Sequence, residues 1–194
     1  MKKTMTIPRG LRNNNPLNIR HSADQWQGAR REQTDKSFVQ FESMAYGYRA
    51  AWKVLDTYCL TFRRERKAYT VKNIIARWAP PSENHTDAYV RSVVLLSGLG
   101  GNESVPRPLR ARDLDKTARL IAAMTCVENG ISYKDVDWEA IWEGYDLAFP
   151  GKRSEKQPAL KGGNPIVDQP FKLPGLKTAD LRDWDEYWDW SAKA

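Results

Sequence analysis

Two carboxylates, Glu128 and Glu83, stand where acid–base chemistry would use them. Glu128 ends the segment LIAAMTCVENG, whose apolar residues recur at helical spacing, so its carboxyl stands at a helix C-terminus. The helix dipole there disfavours an ionised carboxylate by roughly 0.3–1 kcal/mol, and partial burial against the apolar face works in the same direction. Both effects favour the protonated form, which a general acid for glycosidic cleavage needs. Glu83, in PPSENHT, precedes a helix N-terminus, where the dipole favours the ionised form, and is the candidate charge stabiliser or base. Position alone also fits a solvated glutamate in a last turn and a dipole-stabilising residue in a surface loop.

Other chemistries find less support. Only His21 and His85 are available for a Ser-His-Asp or Cys-His arrangement. GLGG (Gly98 to Gly101) lacks the Lys-Ser/Thr that completes a phosphate-cradling loop. Cys59 and Cys126, with two histidines, argue against a structural zinc site and a disulfide framework, and no cofactor is expected. A further cluster is GLRNNNPLNIR (Gly10 to Arg20), where Asn14, Asn15 and Asn18 either hydrogen-bond a ligand or supply turn chemistry before and after Pro16. Trp26, Trp78 and Trp142 fit core positions or sugar platforms, and core is the commoner fate.

The elements that must position these residues are mainly helical. Ser43 is the expected N-cap for a helix whose Met44, Tyr48, Ala51, Leu55 and Tyr58 recur at helical spacing, with Gly47 allowing close packing. Thr70 caps VKNIIARW, which must end before Pro80 and Pro81. A helix from Asn84 or Thr86 runs through Tyr89, Val93 and Leu96 to Gly98. Leu114, Ala118, Ile121, Ala122 and Thr125 share a face of the helix that ENG closes, and Asp137 caps WEAIWEGYDLAF, ended by Pro150. The exception is FVQFES (Phe38 to Ser43), which alternates like a half-buried strand, with Trp26-Gln27-Gly28 beginning a hairpin partner. RRERK (Arg63 to Lys67) reads as a solvated helix end.

With 194 residues, the chain holds one compact domain, residues 1–150, followed by a tail, residues 151–194. The tail opens with a Pro/Gly/Lys-rich linker and ends in the acidic DLRDWDEYWDWSAKA. There Trp184, Trp188 and Trp190 suit docking on a partner or packing back on the domain. The net charge of +7 suits an anionic partner: nucleic acid, a membrane surface or a cell-wall polymer. No run approaches the roughly 18 apolar residues of a membrane span, and MKKTMTIPRG lacks the apolar region of a signal peptide. Nucleic-acid binding has no recognition motif here and is not expected.

Taken together, RGLRNNNPLNIR, WQG, FVQFES...GYRA, IIARWAPPSENHTDAYV and ENG resemble a family of phage and prophage cell-wall-degrading proteins with a lysozyme-like fold. The lytic protein of enveloped double-stranded RNA phages is related to that family. The resemblance covers residues 9 to 148. A more distant likeness is to flagellar-type and autolysin N-acetylglucosaminidases, whose Glu-Ser-Gly helix precedes segments similar to NPLNIR, WQG, FVQF and WAPPSENHTDAY. Here the similar helix, LIAAMTCVENG, follows them, as in a circular permutation. The resemblance implies a lysozyme-like α+β domain that cleaves peptidoglycan. Glu128 would be the acid, Glu83 the stabiliser or base, and Asn14, Asn15, Asn18, Trp26, Trp78 and Tyr89 would line the cleft or brace it. Leu17 stands where many relatives have a glycine.

The reading from sequence is thus a phage-associated peptidoglycan glycosidase or lytic transglycosylase, acting at the bacterial wall during entry or lysis. The alternatives are a virion protein that keeps the fold for assembly, and a peptidoglycan endopeptidase.

Overall fold

The computed structural model describes residues 7–82, 85–110 and 114–153. After a single turn, α1 (Arg9–Arg12), the chain crosses an irregular region rich in side-chain amides and enters the long helix α2 (Met44–Arg64). The short helix α3 (Val71–Trp78) and α4 (Thr86–Ser97) follow. The central helix α5 (Asp115–Asn129) and α6 (Trp138–Ala148) complete the domain. Short 3-10 turns cover Pro108–Arg110 and Tyr133–Asp135.

The helix starts follow from side-chain capping. Ser43, Thr70 and Asp137 accept hydrogen bonds from the backbone N–H groups of Tyr46, Asn73 and Ala140, satisfying donors that the first turn leaves open. α4 and α5 end at Gly98 and Gly130.

Every residue of α5 from Leu120 to Asn129 is buried, so this helix is the axis of the core rather than a one-faced surface helix. α4 packs on α5, α3 packs on α4, and α2 lies along α6. The α2–α6 seam is fixed by Trp52, whose indole N–H donates to the Ile141 carbonyl at 2.9 Å while its ring meets Tyr145 edge-on at 5.0 Å. Trp142 lies in the same layer, buried against Trp52. Asp56 of α2 receives a two-pronged contact from Arg107, at 2.8 and 2.9 Å, and the Leu109 N–H at 3.1 Å, tying the 105–110 segment to the helix. Arg63 to Lys67 are exposed at the end of α2.

The expected hairpin is replaced by isolated antiparallel bridges, Arg20 with Phe38 and Ala29 with Phe41. The Phe38–Phe41 segment is buried along its whole length and contacts backbone on both edges: Val39 N–H donates to the Ile19 carbonyl, and Arg30 N–H donates to the Gln40 carbonyl. Side-chain amides take over groups that a regular ladder would pair. Gln33 both donates to the Gln40 carbonyl and accepts the Gln40 N–H, while the Gln40 side chain accepts the N–H groups of Thr34 and Asp35. The result is a mainly helical domain with no extended sheet among the described residues.

Candidate functional site

The carboxyl of Glu128 is where the helices and the amide-rich opening meet. The residue lies one position before the end of α5 and is 7% exposed. Its Oε1 accepts the indole N–H of Trp78 and the phenol O–H of Tyr89, each at 2.9 Å. Its Oε2 accepts the Asn18 side-chain amide at 3.1 Å. The same amide nitrogen reaches the Glu128 main-chain carbonyl at 3.4 Å. Trp78 is the last residue of α3, delivered there because the helix stops before Pro80, and Tyr89 lies in the first turn of α4. Burial first, and then the Glu128 charge beside it, push the Tyr89 phenol well above its ordinary value, so it remains a neutral donor.

The asparagines build the wall that carries Asn18. Asn14 and Asn18 adopt left-handed backbone, φ 52° and 50°, a conformation asparagine tolerates better than most residues. Asn14 donates from its side chain to the carbonyls of Phe41 and Glu42. Asn15 is fully buried; its amide donates to the carbonyls of Ile19 and Val39, and its oxygen accepts the Ile19 N–H, all at 2.8 Å. Leu17, also fully buried, anchors the loop in the core. The loop lies directly on α2 at Gly47, where a Cβ would stand 2.0 Å from the Asn14 carbonyl oxygen, so only glycine fits.

Asp35 and Asn129 were not among the candidates from the sequence. Asn13 donates to Asp35 at 2.7 Å and accepts from Gln40, joining the loop to an ion pair in which Arg9 grips both Asp35 oxygens at 2.8 Å. Burial works to raise the Asp35 carboxyl, but the Arg9 guanidinium, the N–H groups of Ser37 and Phe38, and Asn13 outweigh it and hold the group well below its usual range. Arg9 and Arg20 both lie over the Phe38 ring, at 4.6 and 5.4 Å. Asn129, beside Glu128, donates to the carbonyls of Pro16 and Thr125.

The structure thus gathers Asn18, Trp78 and Tyr89 around Glu128. It puts Asn14 and Asn15 into the supporting loop. Trp26 is half-buried at the edge of the core, with its indole N–H buried and finding no acceptor, and it does not join the carboxyl. Glu83 lies outside the described residues, as do Trp184, Trp188 and Trp190. Among the described residues no three His, Cys, Asp or Glu side chains converge as a cation site, and no helix is long and apolar enough to cross a membrane.

A mainly helical domain with a single glutamate held by donors from three separate elements defines the class of the molecule in structural terms. No family model matches the chain. Over 146 residues it is 36% identical to Protein P5 of Pseudoalteromonas phage PM2, an alignment covering 74% of this chain and 83% of that protein. The chain belongs to the family of this bacteriophage protein.

Proposed function

We propose that this chain is a phage-associated peptidoglycan hydrolase that cleaves glycan strands with Glu128 as the acid. The observation that carries the reading is the convergence of Trp78, Tyr89 and Asn18 on one nearly buried carboxyl at a helix end. Two donors occupy Oε1, so in the acid form the proton is carried by Oε2. Oε2 would give it to the glycosidic oxygen as the bond to the sugar carbon breaks, and the resulting carboxylate would keep the donors that fix its orientation. The electron-poor sugar carbon is then captured by water in a glycosidase, or by a hydroxyl of the same sugar in a lytic transglycosylase, and the proton lost from that water or hydroxyl returns to the Glu128 carboxylate and restores the acid. The second route needs no second protein carboxylate and does not depend on Glu83. The net charge of +7 would hold the protein near the anionic wall, in the bacterial periplasm.

Mass spectrometry of purified peptidoglycan digested by the full chain tests this. Reducing sugar ends support a glycosidase and anhydro-sugar ends a transglycosylase. New free amino groups from cut stem peptides would move the activity to an endopeptidase.

A second reading is favoured by the small exposure of Glu128, 7%, and by hydrogen bonds at both of its oxygens. In it, the carboxyl is a packing hub of a virion assembly protein that attaches through Trp184, Trp188 and Trp190. An intact product profile after their replacement, with loss of particle incorporation, would assign the tail to assembly and the domain to cleavage.

A further inference from the structure

Asn18 has a feature that its contact with Glu128 does not explain. Its side-chain oxygen is buried and meets no N–H or O–H donor, and the same is true of the Asn129 side-chain oxygen. Both oxygens face one backbone atom. A Cβ built on Gly10 would stand 2.5 Å from the Asn129 oxygen, 2.8 Å from the Asn18 oxygen and 2.9 Å from the Asn15 carbonyl oxygen. The Gly10 Cα–H therefore points at these oxygens and offers them the weak polar contact that a C–H beside a peptide group can make. Any larger residue closes the space.

The consequence runs through the amide. An asparagine side chain can present either its oxygen or its nitrogen to a neighbour, and the two ends differ little in size. With its oxygen turned to Gly10, Asn18 presents its NH2 group to Glu128 Oε2 at 3.1 Å and to the Glu128 carbonyl at 3.4 Å. The reversed amide would set its oxygen against Glu128 Oε2, where it repels the carboxylate and, in the acid form, engages the proton meant for the glycosidic oxygen. Asn129 closes the same corner from the other side, its NH2 group held by the carbonyls of Pro16 and Thr125 at 2.8 and 2.9 Å. The turn α1 holds Gly10 in place because the Asn13 and Asn15 N–H groups donate to the carbonyls of Arg9 and Gly10.

We propose that Gly10 and Asn18 form a positioning pair for Glu128: the bare Cα of Gly10 fixes the Asn18 amide, which aims the Glu128 carboxyl. This deepens the reading of Glu128 as the acid and rests on it for its catalytic consequence, while the geometric part stands separately. Asn18 is then a positioning residue and not a contact to substrate.

The test uses the full chain with Gly10→Ala and Asn18→Gly. The second variant removes the amide while leaving the φ of 50° accessible and cannot clash, so it decides the question if Gly10→Ala fails to fold. The first readout is the indole N–H resonance of Trp78 in a proton–nitrogen NMR spectrum, assigned with Trp78→Phe, because this N–H is bonded to Glu128 Oε1. The second is the split between kcat and KM on peptidoglycan. The proposal expects both variants to shift the Trp78 resonance and to lower kcat by about 10–100-fold, the loss that follows from misplacing a catalytic group by about 1 Å. KM should stay within about two-fold of the wild type. An unmoved resonance, an unchanged kcat, or a raised KM with kcat intact overturns it. A wild type that cleaves no glycan refutes the proposed function, and the indole resonance still decides the geometry by itself.

Discussion

Replacing Tyr89 with phenylalanine removes one oxygen atom from a fully packed position and takes one of the two donors from Glu128 Oε1. Tyr89 is 1% exposed and its O–H lies 2.9 Å from the carboxyl oxygen, so water does not readily substitute for it. Removing one partner of a buried hydrogen-bonded group costs about 1–3 kcal/mol, and Trp78 continues to satisfy part of Oε1, which sets the expected loss at about 1–2 kcal/mol. For a domain of this size each kcal/mol moves Tm by about 2–4 °C, so Tm should fall by about 2–8 °C. The assay is calorimetry together with urea unfolding, with an unchanged urea m-value showing that the fold is retained. A double-mutant cycle with Glu128→Ala isolates the pair: once the carboxyl is gone, Tyr89→Phe should cost much less, leaving a coupling of about 1 kcal/mol or more. A Tyr89→Phe variant as stable as the wild type, or strict additivity in the cycle, would refute the account of how the carboxyl is held.

Asp35 should make stability pH-dependent with a defined sign. Its folded carboxyl lies below the ordinary value of 3.8, so its contribution is present above that value and is lost as pH falls below it. Thermal melts from pH 6 down to about pH 2 should show a steeper acid loss in the wild type than in Asp35→Asn. Gly47→Ala forces a methyl against the Asn14 carbonyl, and urea unfolding should show a loss of about 1–3 kcal/mol, the usual penalty of overpacking.

Much of the helical frame was legible in the sequence because its boundaries are chemical. Ser43, Thr70 and Asp137 cap helices as their types predict, and Gly98 and Gly130 end them. The one-turn helix at Arg9–Arg12 was not legible, because four residues carry no periodicity to read. FVQFES reads as a half-buried strand from its alternation, but Phe38 to Phe41 are buried throughout and their backbone is paired in part by Gln33, Asn14 and Asn15. No local pattern announces such long-range capture of backbone groups by amides.

The site divides in the same way. Glu128 stands out by its place at a helix end, and Trp78, Tyr89 and Asn18 by their types in motifs flanking loops. Their convergence is a matter of tertiary structure, since Asn18 and Glu128 are 110 positions apart and Asn129 and Pro16 are 113. Gly10 carries no signal at all in one sequence, because its role lies in an atom it lacks. The Asn-rich stretch between arginines reads best as a scaffold: most of its amides are spent on backbone and on Asp35, and Asn18 turns toward the carboxyl.

The most direct test of the central claim is the digestion of purified peptidoglycan by the wild type and by Glu128→Gln, at matched folded concentration established by circular dichroism and thermal melting. The substitution keeps the shape of the side chain and removes the acidic proton. The account predicts that the wild type releases new glycan ends and that Glu128→Gln, still folded, releases them at least about 100-fold more slowly, the contribution of a general acid. A folded Glu128→Gln variant that digests peptidoglycan at the wild-type rate would contradict it.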